Sequence, residues 1–213
     1  WPSREVANHY YVDNTHPAAT DDGNPFGYPE RPRVGLPSRL TAGAYVEIRG
    51  GPYRGRQWII TADGTADRSV WIRGGGATRP VIQRETILKG RYVIVDSLHY
   101  TSTLSPRFHN GETVRYAAIR NCEFAGPGVS AGHHAVIGVG GGPNGVASHI
   151  VIYNNVIRDY GDASPSAPEN DFHGIAPHAF ATDVWILNNR IHNMGGDGVQ
   201  VGVAKIPAEA RPQ

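Results

Sequence analysis

Residues 148–157 and 182–191 say nearly the same thing: a short alternating apolar strand, an Asn-Asn corner, and a second short apolar strand. The two copies stand 34 residues apart. A unit of this size cannot bury its own apolar face, so it must stack on a copy of itself. Laid against itself, the chain shows the unit at least four times, with Ile94-Val95-Asp96-Ser97, Ile119-Arg120-Asn121-Cys122, Ile152-Tyr153-Asn154-Asn155 and Ile186-Leu187-Asn188-Asn189 in one alignment. The polar corner then falls at Asp96, Asn121, Asn154 and Asn188, at intervals of 25, 33 and 34. Unequal spacing fits a coil of about 22 to 25 residues carrying loop insertions on one side. Asn suits the corner because it tolerates a left-handed backbone, and its amide can both donate and accept along a stack.

A further strand candidate precedes each later corner, in residues 135–139, 173–176 and 197–201. Three strands per turn, each stacked on its counterpart one turn away, predict an all-β fold, a single-chain right-handed parallel β-helix or solenoid with a Val, Ile and Leu interior. Composition agrees. Gly (27) and Pro (16) make up a fifth of the 213 residues, which disfavours long helices and favours short strands with tight turns. Residues 1–43 lack periodicity and are dense in turn signals, so they read as an irregular extended segment capping the first coil, with a strand at Tyr10-Tyr11-Val12 and at most a helical turn at residues 36–40. Residues 44–213 read as the coils. The last strand candidate is followed by no amphipathic cap, which predicts that the coils continue beyond residue 213 or that a second chain covers the open end.

A net charge of +1 argues against a nucleic-acid surface, and no stretch is apolar for long enough to insert in a membrane. Eighteen of the twenty basic residues are Arg, whose planar fork matches carboxylates and sulfates, although a coding bias produces the same skew. Cys122 stands alone, so no internal disulfide is available, and its setting suggests a buried thiol.

The coil pattern, the opening Tyr10-Tyr11-Val12-Asp13, the later Gly23-Asn24-Pro25-Phe26-Gly27 and the step into Val46-Glu47-Ile48-Arg49-Gly50-Gly51 resemble bacterial right-handed β-helix repeat proteins of the pectate-lyase-like superfamily. The resemblance covers nearly the whole chain. It implies a secreted or cell-surface protein with a polysaccharide groove on the outer face of one sheet, in a superfamily that holds lyases, hydrolases, epimerases, tailspikes and adhesins.

Six of the ten His residues lie between 133 and 192, interspersed with Asp and Glu. His134, His173 and Asp197 fall at the starts of successive strands, and Asp171 precedes His173. These four are the expected catalytic residues of a lyase that cleaves a uronate polymer by β-elimination, which needs a base for the proton alpha to the carboxylate and a cation to hold that carboxylate. Arg158, Arg190, His178 and Tyr160 are the expected substrate-binding groups. Polar residues at strand starts also serve to satisfy turn amides, so the alternative expectation is a non-catalytic protein that binds glycan or assembles into a surface structure. No metal ligand set is discernible. Ca²⁺ is the ion that Glu169, Asp171 and Asp197 would suit, through hard oxygen ligands, without any ordered spacing to require it.

Overall fold

The computed structural model describes residues 8–55, 57–105, 113–128, 134–140, 146–161 and 172–202. Three strands open the chain: β1 (His9–Asp13), β2 (Arg39–Thr41) and β3 (Tyr45–Arg49). β4 (Trp58–Asp63), β5 (Val70–Gly74) and β6 (Val81–Ile82) follow, then the long β7 (Thr86–Asp96) and β8 (His99–Tyr100). The rest come in threes: β9 (Leu104–Ser105), β10 (Val114–Arg120) and β11 (Glu123–Gly128); β12 (His134–Val139), β13 (Ala147–Tyr153) and β14 (Val156–Tyr160); β15 (Phe172–Pro177), β16 (Ala181–Leu187) and β17 (Arg190–Met194). No helix occurs among the described residues, so none is long and apolar enough to cross a membrane. Residues 36–40 make no helical turn; Arg39–Thr41 instead pairs with Thr61–Asp63.

Every strand pairing is parallel, and from β9 onward each strand pairs with the one three places further along. One row runs β1-β3-β5-β7-β10-β13-β16, and a second sheet runs β6-β8-β11-β14-β17. β2, β4, β9, β12 and β15 form a third row, joined to the first through β7. β7 serves two rows because it bends at Gly90 (φ +93°), where a Cβ would strike the carbonyl of Ala62 on the neighbouring strand. Parallel neighbours need a long crossover, and here the crossovers are the other two strands of each set.

Alternation decides which face is inside. Val70 pairs with Val93, Ala117 and Ile150 in turn, and Ile72 with Val95, Ile119 and Ile152, all at most 2% exposed. Each such aliphatic side chain stabilises the stack by about 1.5–3 kcal/mol. A one-residue slip would turn the whole column to solvent, so this row is fixed in register. Tyr100 and Phe124 stack at 4.9 Å across the second sheet, also buried.

The corners after β7, β10, β13 and β16 repeat one device. Ser97, Asn121, Asn154 and Asn188 all hold a left-handed backbone, with φ of +58°, +53°, +56° and +53°. Asn188 Nδ2 donates to Asn154 Oδ1 (2.9 Å), Asn154 Nδ2 to Asn121 Oδ1 (2.8 Å), and Asn121 Nδ2 to Asp96 Oδ1 (2.9 Å). The first corner residue is therefore Ser97, one place later than the polar alignment put it. Asp96, paired with Arg120 in the register, reaches forward to end the ladder.

Candidate functional site

Of the eight residues expected to form a site, the structure brings His173 and Asp197 together. His173, on β15, is 7% exposed at its side chain; its Nδ1 accepts the Asp197 amide at 3.1 Å and lies 3.7 Å from Asp197 Oδ2. An Nδ1 that accepts a backbone N–H is spent on holding the chain. His134 opens β12 but pairs in register with Phe172, while Ala135 is the partner of His173. Asp171 lies outside the described residues. Tyr160 points into the core at 2% exposure and donates its hydroxyl to the Ser102 carbonyl (2.7 Å), so burial pushes its phenol up and the outer face does not present it. Arg158 binds Glu123 (2.8 Å) and Asp159 (2.5 Å) on the second sheet. Its hydrogen bond holds the Glu123 carboxyl below the usual carboxylate range, aided by Arg79 3.6 Å away. Arg190 and His178 are exposed, on β17 and in the turn after β15. Among the described residues no group of three His, Cys, Asp or Glu is placed to hold a metal ion.

A different set converges on the outer face of the first row. The buried apolar positions of β10 are Val114, Ala117 and Ile119, and those of β13 are Ala147, Ile150 and Ile152, with Ser148 also buried. The first gap is three residues rather than two, so each strand carries one extra residue. That residue takes a left-handed backbone: Tyr92 (φ +49°), Tyr116 (+55°), His149 (+57°) and Asp183 (+52°). The bulge sits at the same level on every strand, so the register resumes intact on its far side.

The four side chains form a column on the surface. Tyr92 and Tyr116 stack at 4.6 Å with planes 9° apart, and His149 follows Tyr116 at 4.6 Å. His149 Nδ1 lies 3.8 Å from Asp183 Oδ2, with the two side chains 43% and 52% exposed. Trp185, also exposed, flanks His149 at 6.2 Å between ring centroids. Beside the column, Arg91 and Arg115 are directly opposite each other on β7 and β10. Arg91 is held by Asp63 at 2.9 Å, while Arg115 extends from the exposed side of β10.

Two features make this column more than surface. A left-handed backbone costs most non-glycine residues roughly 1–2 kcal/mol; Asp183 tolerates it, whereas Tyr92 and Tyr116 carry it where Gly or Asn would be cheaper. Like charges directly opposite on paired strands are unfavourable; Asp63 already answers Arg91, so an anion beside the column falls to Arg115. The arrangement offers the exposed Arg115 for a carboxylate, an imidazole 3.8 Å from a carboxylate, and phenol hydroxyls alongside.

In comparisons with known proteins, no family model matches the chain, and no curated protein and no solved structure matches it.

Proposed function

We propose that the chain is a right-handed parallel β-helix of the pectate-lyase-like kind, acting outside the cell on an acidic polysaccharide by β-elimination along the Tyr92–Tyr116–His149–Asp183 column. The recurrence of pairings every third strand supports the coil. The observation that carries the substrate class is the exposed Arg115, opposite Arg91 on the neighbouring strand, beside the His149–Asp183 pair.

In this reading the guanidinium of Arg115, with Arg91 behind it, binds the uronate carboxylate and stabilises the charge that builds on it as the alpha proton leaves. Asp183, 3.8 Å from His149 Nδ1, stands where it steadies an imidazolium as Nε2 takes the alpha proton. The carbon–oxygen bond beta to the carboxylate then breaks, a carbon–carbon double bond forms, and the departing oxygen takes a proton from Tyr116 or water. His149 replaces His173 as the base, because His173 is buried and its Nδ1 is committed to the Asp197 amide.

The test is absorbance of the unsaturated product with polygalacturonate, alginate and a glucuronate-containing glycosaminoglycan, with and without Ca²⁺. Wild type gives product on one of them, and His149→Ala lowers its rate by roughly 100-fold or more, the usual share of a general base. Arg115→Ala raises KM. A second reading, a glycan binder without catalysis, is favoured by the structural commitments of His173, Arg158 and Tyr160. Retardation in gels containing these polymers, lost in Arg115→Ala and without any absorbance, would select it; neither result on any polymer would remove both.

A further inference from the structure

The outward side chains of β1 and β3 floor a cleft of about 350 Å³ at the other end of the same row. Tyr11 lines it, stacked against His9 at 4.2 Å with planes 11° apart. Glu47 and Asp13 stand along its edge, with Arg49 bound to Glu47 through Nε (2.7 Å) and Nη2 (2.5 Å), both on Oε1. Asp13 turns Oδ1 to the amide and hydroxyl of Thr15 (2.9 and 2.7 Å). The roof comes from the irregular segment between β1 and β2, through His16, Pro29 and Pro32.

That roof is built to stay in place. Asn24, 3% exposed, donates from Nδ2 to the carbonyls of Thr20 and Arg31 (both 2.9 Å), and its Oδ1 accepts the Gly27 amide at 3.1 Å. Arg33 ties the segment through the Asn24 carbonyl (2.8 Å) and the Asp21 carboxylate (3.1 Å). Main-chain bonds from Tyr11 to Phe26 and from Arg33 to Tyr11 fasten it to β1. A surface loop with this many internal bonds holds a preformed shape, which lowers the ordering cost of a ligand.

We infer that this cleft is a binding site for one neutral sugar ring. The apolar face of a pyranose fits the Tyr11 ring and the Pro walls, while its hydroxyl edge can donate to carboxylates already oriented by Arg49 and Thr15. The volume equals about a dozen waters at ~30 Å³ each, enough for a single ring with part of its hydration. Two carboxylates against one guanidinium select against an anionic ring. The site therefore differs in charge preference from the Arg91–Arg115 face, and it stands whether or not that face cleaves uronates.

The experiment is calorimetric and saturation-transfer titration of the whole chain with methyl glucoside, galactoside and mannoside and their disaccharides, with methyl galacturonide and a proline-rich peptide for contrast. One neutral glycoside binds at millimolar or better affinity and at least tenfold more tightly than the galacturonide. Tyr11→Ala and Glu47→Gln each weaken it at least tenfold, Tyr11→Phe retains it, and His149→Ala leaves it unchanged. Should Tyr11→Ala fail to fold, Glu47→Gln and Tyr11→Phe still decide. No saturable binding of any neutral glycoside, equal affinity in Glu47→Gln, or preference for the galacturonide or the peptide overturns the assignment.

Discussion

Asn155→Ala is expected to be among the most damaging single polar substitutions in the chain, far beyond its exposed neighbour Asn154→Ala. Asn155 is 1% exposed at the inner side of a corner. Its Oδ1 accepts the Cys122 amide at 2.9 Å, and its Nδ2 donates to the Ile119 carbonyl (3.0 Å) and to Asn189 Oδ1 (2.9 Å). Alanine removes the partner of a buried N–H and of a buried C=O at once. Each orphaned group costs about 1–3 kcal/mol, so the loss is roughly 3–5 kcal/mol of a total stability of order 5–15 kcal/mol. Asn154 also bonds to the corners on either side, Asn121 and Asn188, yet both bonds are exposed and water replaces them. Its alanine variant loses about 1–2 kcal/mol, chiefly because φ of +56° is unfavourable without the Asn side chain.

Urea unfolding followed by circular dichroism measures both, with Asn154→Gly as the control that removes the ladder bonds but accepts the backbone. The expected order of destabilisation is Asn155→Ala, then Asn154→Ala, then Asn154→Gly. If Asn155→Ala costs no more than Asn154→Ala, buried satisfaction of main-chain groups is not what fixes the corner, and the argument fails.

Cys122 is 1% exposed, and burial pushes its thiol up to about 12, so native protein should resist iodoacetamide at pH 8 and react once denatured; alkylation of the folded protein at the rate of a free thiol would contradict this placement. Asp96, 3% exposed at its side chain, has a different balance: burial raises its pKa, but hydrogen bonds from Asn121, Ser97 and Arg120 outweigh that and hold it below the usual value. A carboxyl depressed in the folded state contributes stability that is fully present above its unfolded pKa of about 3.9 and is lost as pH falls through the lower folded value. Asp96→Asn should therefore flatten the fall in unfolding free energy below about pH 4, and an unchanged acid limb would show that Asp96 does not gain from its partners.

Alternation and the Asn corners made the strands and their stacking legible in the sequence, since inward positions such as Val95, Ile119 and Ile152 follow a period of two up to each corner. The first corner lies one residue later than the polar alignment places it because Asp looks like Asn to a pattern, whereas it is Ser97 that takes the left-handed position and Asp96 that ends the ladder. The site was less legible for a different reason. Residue type shows that His173, Arg158 and Tyr160 can do chemistry, but it does not show that their polar atoms are already spent on the Asp197 amide, on Glu123 and on the Ser102 carbonyl.

The column of Tyr92, Tyr116, His149 and Asp183 escaped notice because left-handed backbone is expected at Gly and Asn, and a Tyr inside an apolar run reads as ordinary strand. A signal was nevertheless present: each of the four stands five residues before a corner, at Ser97, Asn121, Asn154 and Asn188. The same backbone conformation thus occurs at both the bulge and the corner of each unit, with opposite consequences. At the corner a side chain suited to it relieves the strain, and its amides bind one coil to the next. At the bulge, aromatic and titratable side chains bear the strain, and what they gain is an outward aim that a strict alternation would deny to two consecutive residues. Replacing His149 by Asn separates these effects: folding should become slightly more favourable, and under the proposed lyase reading uronate turnover falls, so a variant both as active and no more stable would remove the bulge from the site.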